Sequence, residues 1–381
     1  MSTNLVEVPA GLKGVAVADT AIGDVRGEEG FYHYRQYDAT ELARLRRFED
    51  VWALVVDGAL PEDGDDRFAR EVGPLRTLPA EVIDAVAALA RRLGPLDALK
   101  TGLAVVAACD QMEASLDTDP ATLRTQALRL TAVTPTILAA HHRLRAGLDP
   151  IAPDPAATHT ADYLRMLGLD PAPPETRALE QYLISTIDHG FNASTFTARV
   201  ITSTGADLAS AVIGAIGAMS GPLHGGAPSR AVAMVEEILR AGSVDAWLAP
   251  RLERHERIMG FGHAVYRGAD PRSTLLRQVA RDLGGDLVEQ ATAIEERILD
   301  TLAVARPGRT LGTNVEFYAG IVMERCGLPR ELFTPTFTVA RTAGWTAHAL
   351  EQAASRRLIR PGARYVGPTP PVPVPVPVPQ G

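Results

Sequence analysis

The sequence predicts a mainly α-helical protein of two lobes, and three observations carry that prediction. Apolar residues recur at helical spacing between capping and stop signals. The strand–helix alternation of a dinucleotide-binding fold is absent. The 381 residues also exceed what one core, roughly 250 to 300 residues, supports. Hydrophobic residues at 46% and charged residues at 22% place the chain among globular proteins rather than disordered ones.

The exception to helix comes first. Residues 14–37 alternate weakly, with Val15 and Val17 before the turn-like Gly27-Glu28-Glu29-Gly30 and Tyr32 and Tyr34 after it, so a small antiparallel β element is expected near the N-terminus. Helix follows. Asp38 and Glu41 have capping-box spacing, and Phe48, Val51, Trp52 and Val55 recur at i, i+3, i+4, i+7 before Gly58 and Pro61, which predicts one amphipathic helix with a start and a stop.

A further helix opens at Pro228-Ser229, carries Ala231, Met234, Val235 and Ile238 as its apolar stripe, and ends at Gly242. Proline and glycine clusters near 146–157, 170–175 and 221–228 separate other helices, and no fixed-period repeat is present. From Pro368 to Gly381 the chain is dominated by Val-Pro repeats, a polyproline II composition that packs no core, so residues 368–381 are expected to be a disordered tail.

The net charge of −8 gives no general attraction to nucleic acid or anionic membrane, so a site for an anionic ligand must be built locally from Arg and His. Lys13 and Lys100 are the only lysines, a bias best attributed to codon usage. Cys109 and Cys326 lack metal or disulfide spacing and read as small core residues in a reducing compartment. No leader-like segment opens the chain, and the longest apolar stretch, Leu208 to Leu223, is too short to span a bilayer, so a cytoplasmic protein with no membrane partner is expected.

Three segments carry chemistry. Ser220-Gly221-Pro222-Leu223-His224-Gly225-Gly226-Ala227 holds one histidine just before a helix start, where a positive potential lowers its pKa and leaves a neutral hydrogen-bond donor suited to an enolate oxygen. Gly260-Phe261-Gly262-His263 runs on through Arg267 to Asp270-Pro271-Arg272, and arginine forks match carboxylate and phosphate. Asn314-Val315-Glu316-Phe317-Tyr318 sets one carboxylate among apolar neighbours, where burial raises its pKa toward that of a general base for a carbon acid.

Taken together the segments resemble the citrate synthase family, in which Gly-Pro-Leu-His-Gly-Gly-Ala, Gly-Phe-Gly-His with Asp-Pro-Arg, and Asn-Val-Asp-Phe-Tyr occur in this order. The likeness extends through Tyr34-Arg35, Asp188-His189-Gly190-Phe191-Asn192-Ala193-Ser194-Thr195-Phe196, Gly344-Trp345 to Gln352 and Arg360-Pro361, leaving only the tail outside it.

The resemblance implies an all-α homodimer. It has a large domain from 1–225 that resumes at 328–367, a small domain at 226–327, and a site in the cleft between them. It also implies an acyltransferase that condenses acetyl-coenzyme A with oxaloacetate and hydrolyses the product to citrate, with no tightly bound cofactor. Glu316 is then the base, His224 the donor to the thioester oxygen, and His263 the group polarising the keto carbonyl. His189, Arg272, Arg341 and, from the partner subunit, Arg360 hold oxaloacetate; Asn314 lines the site and Arg267 meets the coenzyme A phosphates.

The chain departs from the family at three places: Glu316 stands for the usual Asp, Ala264 for an Arg common after the histidine, and Thr313 for a common Pro. The extra methylene of Glu316 displaces the carboxylate by on the order of 1 Å, which can cost roughly 10²-fold in rate. Two alternatives therefore stand beside citrate synthesis: 2-methylcitrate synthesis from propionyl-coenzyme A, and a weakly active metabolite-binding paralogue. Metal-dependent chemistry is not expected, because His141-His142 and His255-Glu256 lack paired ligand spacing.

Overall fold

Two tyrosines decide where the N-terminal sheet sits. In the computed structural model, which describes residues 5–221, 224, 228–263, 265–266, 268–305 and 311–374, a three-stranded antiparallel sheet runs β1 (Gly23–Arg26), β2 (Phe31–Tyr34), β3 (Tyr37–Asp38) in that order. Alternation along β2 buries Tyr32 and Tyr34. Their hydroxyls donate to the carbonyls of Ser185 (3.0 Å) and Ile184 (2.9 Å). Val15 and Val17, expected in the β element, lie outside it and instead line a groove shared with the segment after the last helix.

Sixteen α-helices follow among the described residues: α1 (Ala39–Leu45), α2 (Phe48–Asp57), α3 (Arg67–Val72), α4 (Ala80–Leu89), α5 (Pro95–Cys109), α6 (Pro120–Arg145), α7 (His159–Met166), α8 (Pro173–Ser185), α9 (Ala193–Ser203), α10 (Leu208–Met219), α11 (Pro228–Ala241), α12 (Val244–Glu253), α13 (Pro271–Leu283), α14 (Asp286–Ala305), α15 (Val315–Arg325) and α16 (Phe333–Ser355). The expected mainly α class holds, and α11 has the predicted bounds, with its four stripe residues buried and Gly242 left-handed after it.

The single helix expected from Asp38 to Gly58 is two. Asp38 caps α1 by accepting from the Thr40 and Glu41 amides, but the chain turns extended at Arg46 before α2 begins. The break persists because α8 satisfies both exposed ends. The Arg177 guanidinium donates to the carbonyls of Ala43, Arg44 and Arg46, and the Glu180 carboxylate accepts from the Phe48 amide. Tertiary partners have replaced the hydrogen bonds that a continuous helix would supply.

The core is centred on α16, which packs against α6, α9, α10, α2 and α8; α15 packs in turn against α13, α11 and α8. From Val339 to Ala349 every α16 residue is buried, the mark of an interior helix. Cys326 is buried as expected; Cys109 is exposed, because it ends α5 on its solvent side. Residues 368–374 form no regular element, and the tail from 375 lies outside the described residues. No described helix is long and apolar enough to cross a membrane.

Gly344 lets α16 approach the segment that enters the site. A Cβ built there falls 2.2 Å from the Ile187 carbonyl oxygen, two residues before His189. Gly344→Ala is expected to lower the urea midpoint at unchanged slope, a loss of about 1–3 kcal/mol from overpacking; an unchanged midpoint would show that the 187–189 segment yields freely.

Candidate active site

A cavity of about 500 Å³ opens where the loop between α8 and α9, the middle of α16, the 263–272 segment and the start of α15 converge. His189, His224, His263, Arg272, Asn314, Glu316 and Arg341 all line it. Seven of the nine residues singled out in the sequence, drawn from five places in the chain, therefore share one space.

Its firmest corner is built on Asp270, which is 1% exposed. As the N-cap of α13 it accepts from the Arg272 amide (3.0 Å), and its two oxygens bind the Arg272 guanidinium through Nε (3.0 Å) and Nη2 (2.8 Å). The same carboxylate accepts from the Val315 amide (3.1 Å) at the head of α15. One buried anion thus fixes the Arg272 fork and the helix start that carries Glu316. Arg272 in return holds the Asp270 carboxyl below its usual pKa against the opposing effect of burial.

His263 stands beside that fork. Its Nδ1 accepts from the amides of Val265 (3.0 Å) and Tyr266 (3.2 Å), so the neutral ring carries its proton on Nε2. Nε2 lies 3.2 Å from Arg272 Nη2. The Arg272 guanidinium and the His263 ring thus meet at one edge of the cavity. Burial first, then the Arg272 charge, lower the His263 pKa to about 4, so the ring is a neutral donor at pH 7. His189 lies across from it, 2.9 Å from the Tyr266 hydroxyl, with its pKa pushed far down by burial and by Arg272 and Arg341.

His224 approaches from the opposite side. Its Nε2 is 2.8 Å from Ser194 Oγ, which accepts from Trp345 Nε1 (3.2 Å) and donates to Asn192 Oδ1 (2.7 Å). Asn192 Oδ1 already receives the Ser194 and Thr195 amides as the cap of α9. Ser194 thus fixes the orientation of the His224 ring through its Nε2. The His224 pKa is lowered to about 4, as the sequence predicts, but through burial and the Arg341 charge rather than a helix start. Pro222, Leu223 and Gly225 to Ala227 lie outside the described residues.

Glu316 sits in the first turn of α15. Asn314 caps that helix by accepting from the Glu316 amide (3.0 Å), while its Nδ2 donates to the Gly262 carbonyl (3.0 Å). Burial, opposed by Arg272 and Arg230 and aided by Asp270, raises the Glu316 pKa to about 7. Of the neighbours expected to desolvate it, only Val315 lines the cavity; Phe317 and Tyr318 turn into the core, and Ala319 and Phe337 take their place.

Arg341, 3% exposed, is the least satisfied group in the site. Its Nε and Nη1 make no hydrogen bond among the described residues, and its face rests on Phe337 (4.8 Å). A buried guanidinium with open donors is a carboxylate receptor in waiting. A second cavity of about 400 Å³ shares His263, Asn314 and Glu316 with the first and runs along residues 255–262 to Leu302 and Leu311. Arg360 is not in either; it is exposed after α16, in the groove with the N-terminal segment. Arg267 and Ala264 lie outside the described residues.

Sequence reasoning assigned no role to Ser194, Tyr266, Asp188 or Arg199. Asp188 accepts from His348 Nε2 (3.2 Å) and the Gly190 amide (3.1 Å), and Arg199 binds His348 Nδ1 (3.0 Å), Glu351 (2.5 Å) and Gln352 (3.0 Å). This buried chain anchors the loop that presents His189. The signal was present, since His348, Glu351 and Gln352 stand at helical spacing on one side of α16, but their partners are some 150 residues away.

Comparison with known proteins follows the same lines. The family model described as citrate synthase, C-terminal domain, matches residues 11–362. Putative citrate synthase 2 of Mycobacterium bovis is 40% identical over 365 residues, covering 94% of this chain and 93% of the relative. Citrate synthase of Haloferax volcanii is 39% identical over 371 residues, covering 95% and 96%. The crystal structure of citrate synthase from Pyrobaculum aerophilum superposes with a TM-score of 0.87 at 33% identity, covering 98% and 97%. The Thermoplasma acidophilum citrate synthase, in ternary complex with carboxymethyl coenzyme A and oxaloacetate, gives 0.87 at 28% identity, covering 97% and 99%.

The two cavity imidazoles have a measurable signature. In protein labelled at histidine, His224 and His263 are expected to stay neutral at pH 6 and to titrate near pH 4. Unfolded imidazoles protonate near 6.5, so the unfolded state binds more protons between about 6.5 and 4, and both groups reduce stability as pH falls through that window. Glu316 acts with opposite sign as pH rises toward 7. Titration of His263 near 6.5 would contradict the arrangement.

Proposed function

We propose that this chain, which belongs to the citrate synthase family, condenses acetyl-coenzyme A with oxaloacetate and hydrolyses the product to citrate and free coenzyme A. As a member of that family it is an acyltransferase that converts the acyl group into alkyl on transfer. The observation that carries the reading is the convergence of a carboxyl with a pKa near 7, two neutral imidazoles and two buried guanidinium groups on one cavity.

In this proposal Glu316 takes a proton from the methyl group of the thioester, and the electron pair moves onto the carbonyl oxygen, where His224 donates a hydrogen bond. A base matched to neutral pH suits a weakly acidic carbon, and a neutral donor stabilises the enolate without acting as an acid. The enolate carbon attacks the keto carbon of oxaloacetate, whose oxygen takes up charge against His263 Nε2–H. Arg341 and Arg272, with His189, hold the carboxylates. Water then cleaves the thioester, releasing the coenzyme A thiol.

The second cavity beside Glu316 offers a path for the coenzyme A arm, with Asn314 at its junction with the first; Arg267 is assigned to the phosphates. We also propose the two-domain division at 1–225 with 328–367 and 226–327, supported by the cavity, whose walls come from both stretches. Arg360, exposed outside its own chain's cavity, is assigned to the partner's site in a homodimer.

Purified protein given oxaloacetate and acetyl-coenzyme A is expected to release free thiol, with Glu316→Gln lower by roughly 10²–10⁴-fold and His224→Ala by about 10²–10³-fold. Faster release with propionyl-coenzyme A would reassign the product to 2-methylcitrate. No release with either donor would overturn the proposal and leave a metabolite-binding protein. In the wild type, kcat/KM is expected to rise with pH through about 7 as Glu316 ionises.

A further inference from the structure

The turn that delivers Glu316 is braced from behind by a polar cluster outside both cavities. Residues 312–314 lie antiparallel to 260–262, with the Gly262 amide donating to the Gly312 carbonyl (2.8 Å) and the Asn314 amide to the Gly260 carbonyl (2.9 Å). These bonds tie the turn to the segment that leads into His263. They do not fix it against the body of the protein.

Asp270 holds the turn at the Val315 amide, and a further attachment comes from a carboxylate on α14. Glu295, 3% exposed, accepts from the Thr313 hydroxyl at Oε1 (2.5 Å) and from the Tyr318 hydroxyl at Oε2 (2.5 Å). Arg277 Nε, on the helix headed by Arg272, lies 3.0 Å from the same Oε2 as an ion pair. Thr313 and Tyr318 bracket the helix turn that carries Glu316, one on either side. A single anion therefore grips both ends of that turn and links it to α13.

We infer that Thr313 and Glu295 are positioning residues that fix where the Glu316 carboxyl sits, acting through the backbone turn without touching the substrate. The inference rests on the proposed role of Glu316 as base. Its physical basis is that a buried carboxylate needs its donors, which the Thr313 and Tyr318 hydroxyls supply. With a base one methylene longer than aspartate, small rotations of the turn move the carboxyl further, so the brace has more to hold.

The test compares Thr313→Val, which keeps the shape and removes the hydroxyl, with Thr313→Ser, which restores it. Glu316 is followed directly by carbon-13 NMR of protein labelled at the Glu side-chain carboxyl and assigned with Glu316→Gln. The groups facing it, Arg272, Asp270 and Arg230, are unchanged in these variants. The wild type is expected to titrate near 7, Thr313→Val at least one pH unit lower as the turn relaxes toward solvent, and Thr313→Ser with the wild type. In the thiol assay Thr313→Val is expected to lose about 10- to 100-fold in kcat with KM for oxaloacetate within two-fold, and Thr313→Ser to recover it.

Coincident titration curves for wild type and Thr313→Val would overturn the inference. Should Thr313→Val not fold, Tyr318→Phe decides: a downward shift supports the brace, and an unmoved curve refutes it. A wild type that releases no thiol would instead defeat the proposed function, while the titration would still decide the brace.

Discussion

The pairing of Arg272 with Glu316 hangs on one buried carboxylate. Asp270 binds four N–H groups, two on the Arg272 guanidinium, one on the Arg272 backbone and one on Val315, so the start of α13 and the start of α15 are locked to each other through a single anion. Removing a buried charge from its partners is far costlier than an exposed pair is worth. The arrangement is therefore rigid, and it sets the distance between an arginine that can hold an anion and a carboxyl that can take a proton. Asp188 does the equivalent on the facing wall, where His348 and the Gly190 amide hold the loop that ends in His189.

With both walls fixed, the electrostatics of the cavity follow from burial and from two guanidinium groups. Burial penalises every charge, and the arginines penalise further positive charge, so all three cavity imidazoles are pushed to the neutral form. The same burial raises the Glu316 carboxyl, but Arg272 and Arg230 limit the rise to about 7. Neutral imidazoles, a carboxyl that is half ionised near pH 7, and fixed cations thus arise from one cause. Arg341 completes the set because its Nε and Nη1 donors find no acceptor among the described residues.

The helical class was legible because capping residues and apolar spacing are local, and α11 shows this at both ends. The split between α1 and α2 was not, because it depends on Arg177 and Glu180 more than 120 residues away. The same division runs through the site. His224, His263, Arg272 and Glu316 stand in short motifs whose residue types announce their chemistry, whereas Ser194 and Arg199 act through neighbours that only folding brings together. Thr313 could be seen as a departure in the sequence, but its partner Glu295 could not.

The central claim is that the open Arg341 guanidinium exists to receive a carboxylate. Isothermal titration of oxaloacetate into wild type and into Arg341→Met measures this directly, without any turnover. The account predicts binding to the wild type and at least a 100-fold loss in the variant, with Glu316→Gln binding as the wild type does. Equal affinity in wild type and Arg341→Met would contradict it, and would mean that the cavity's buried cation serves the fold and not the ligand.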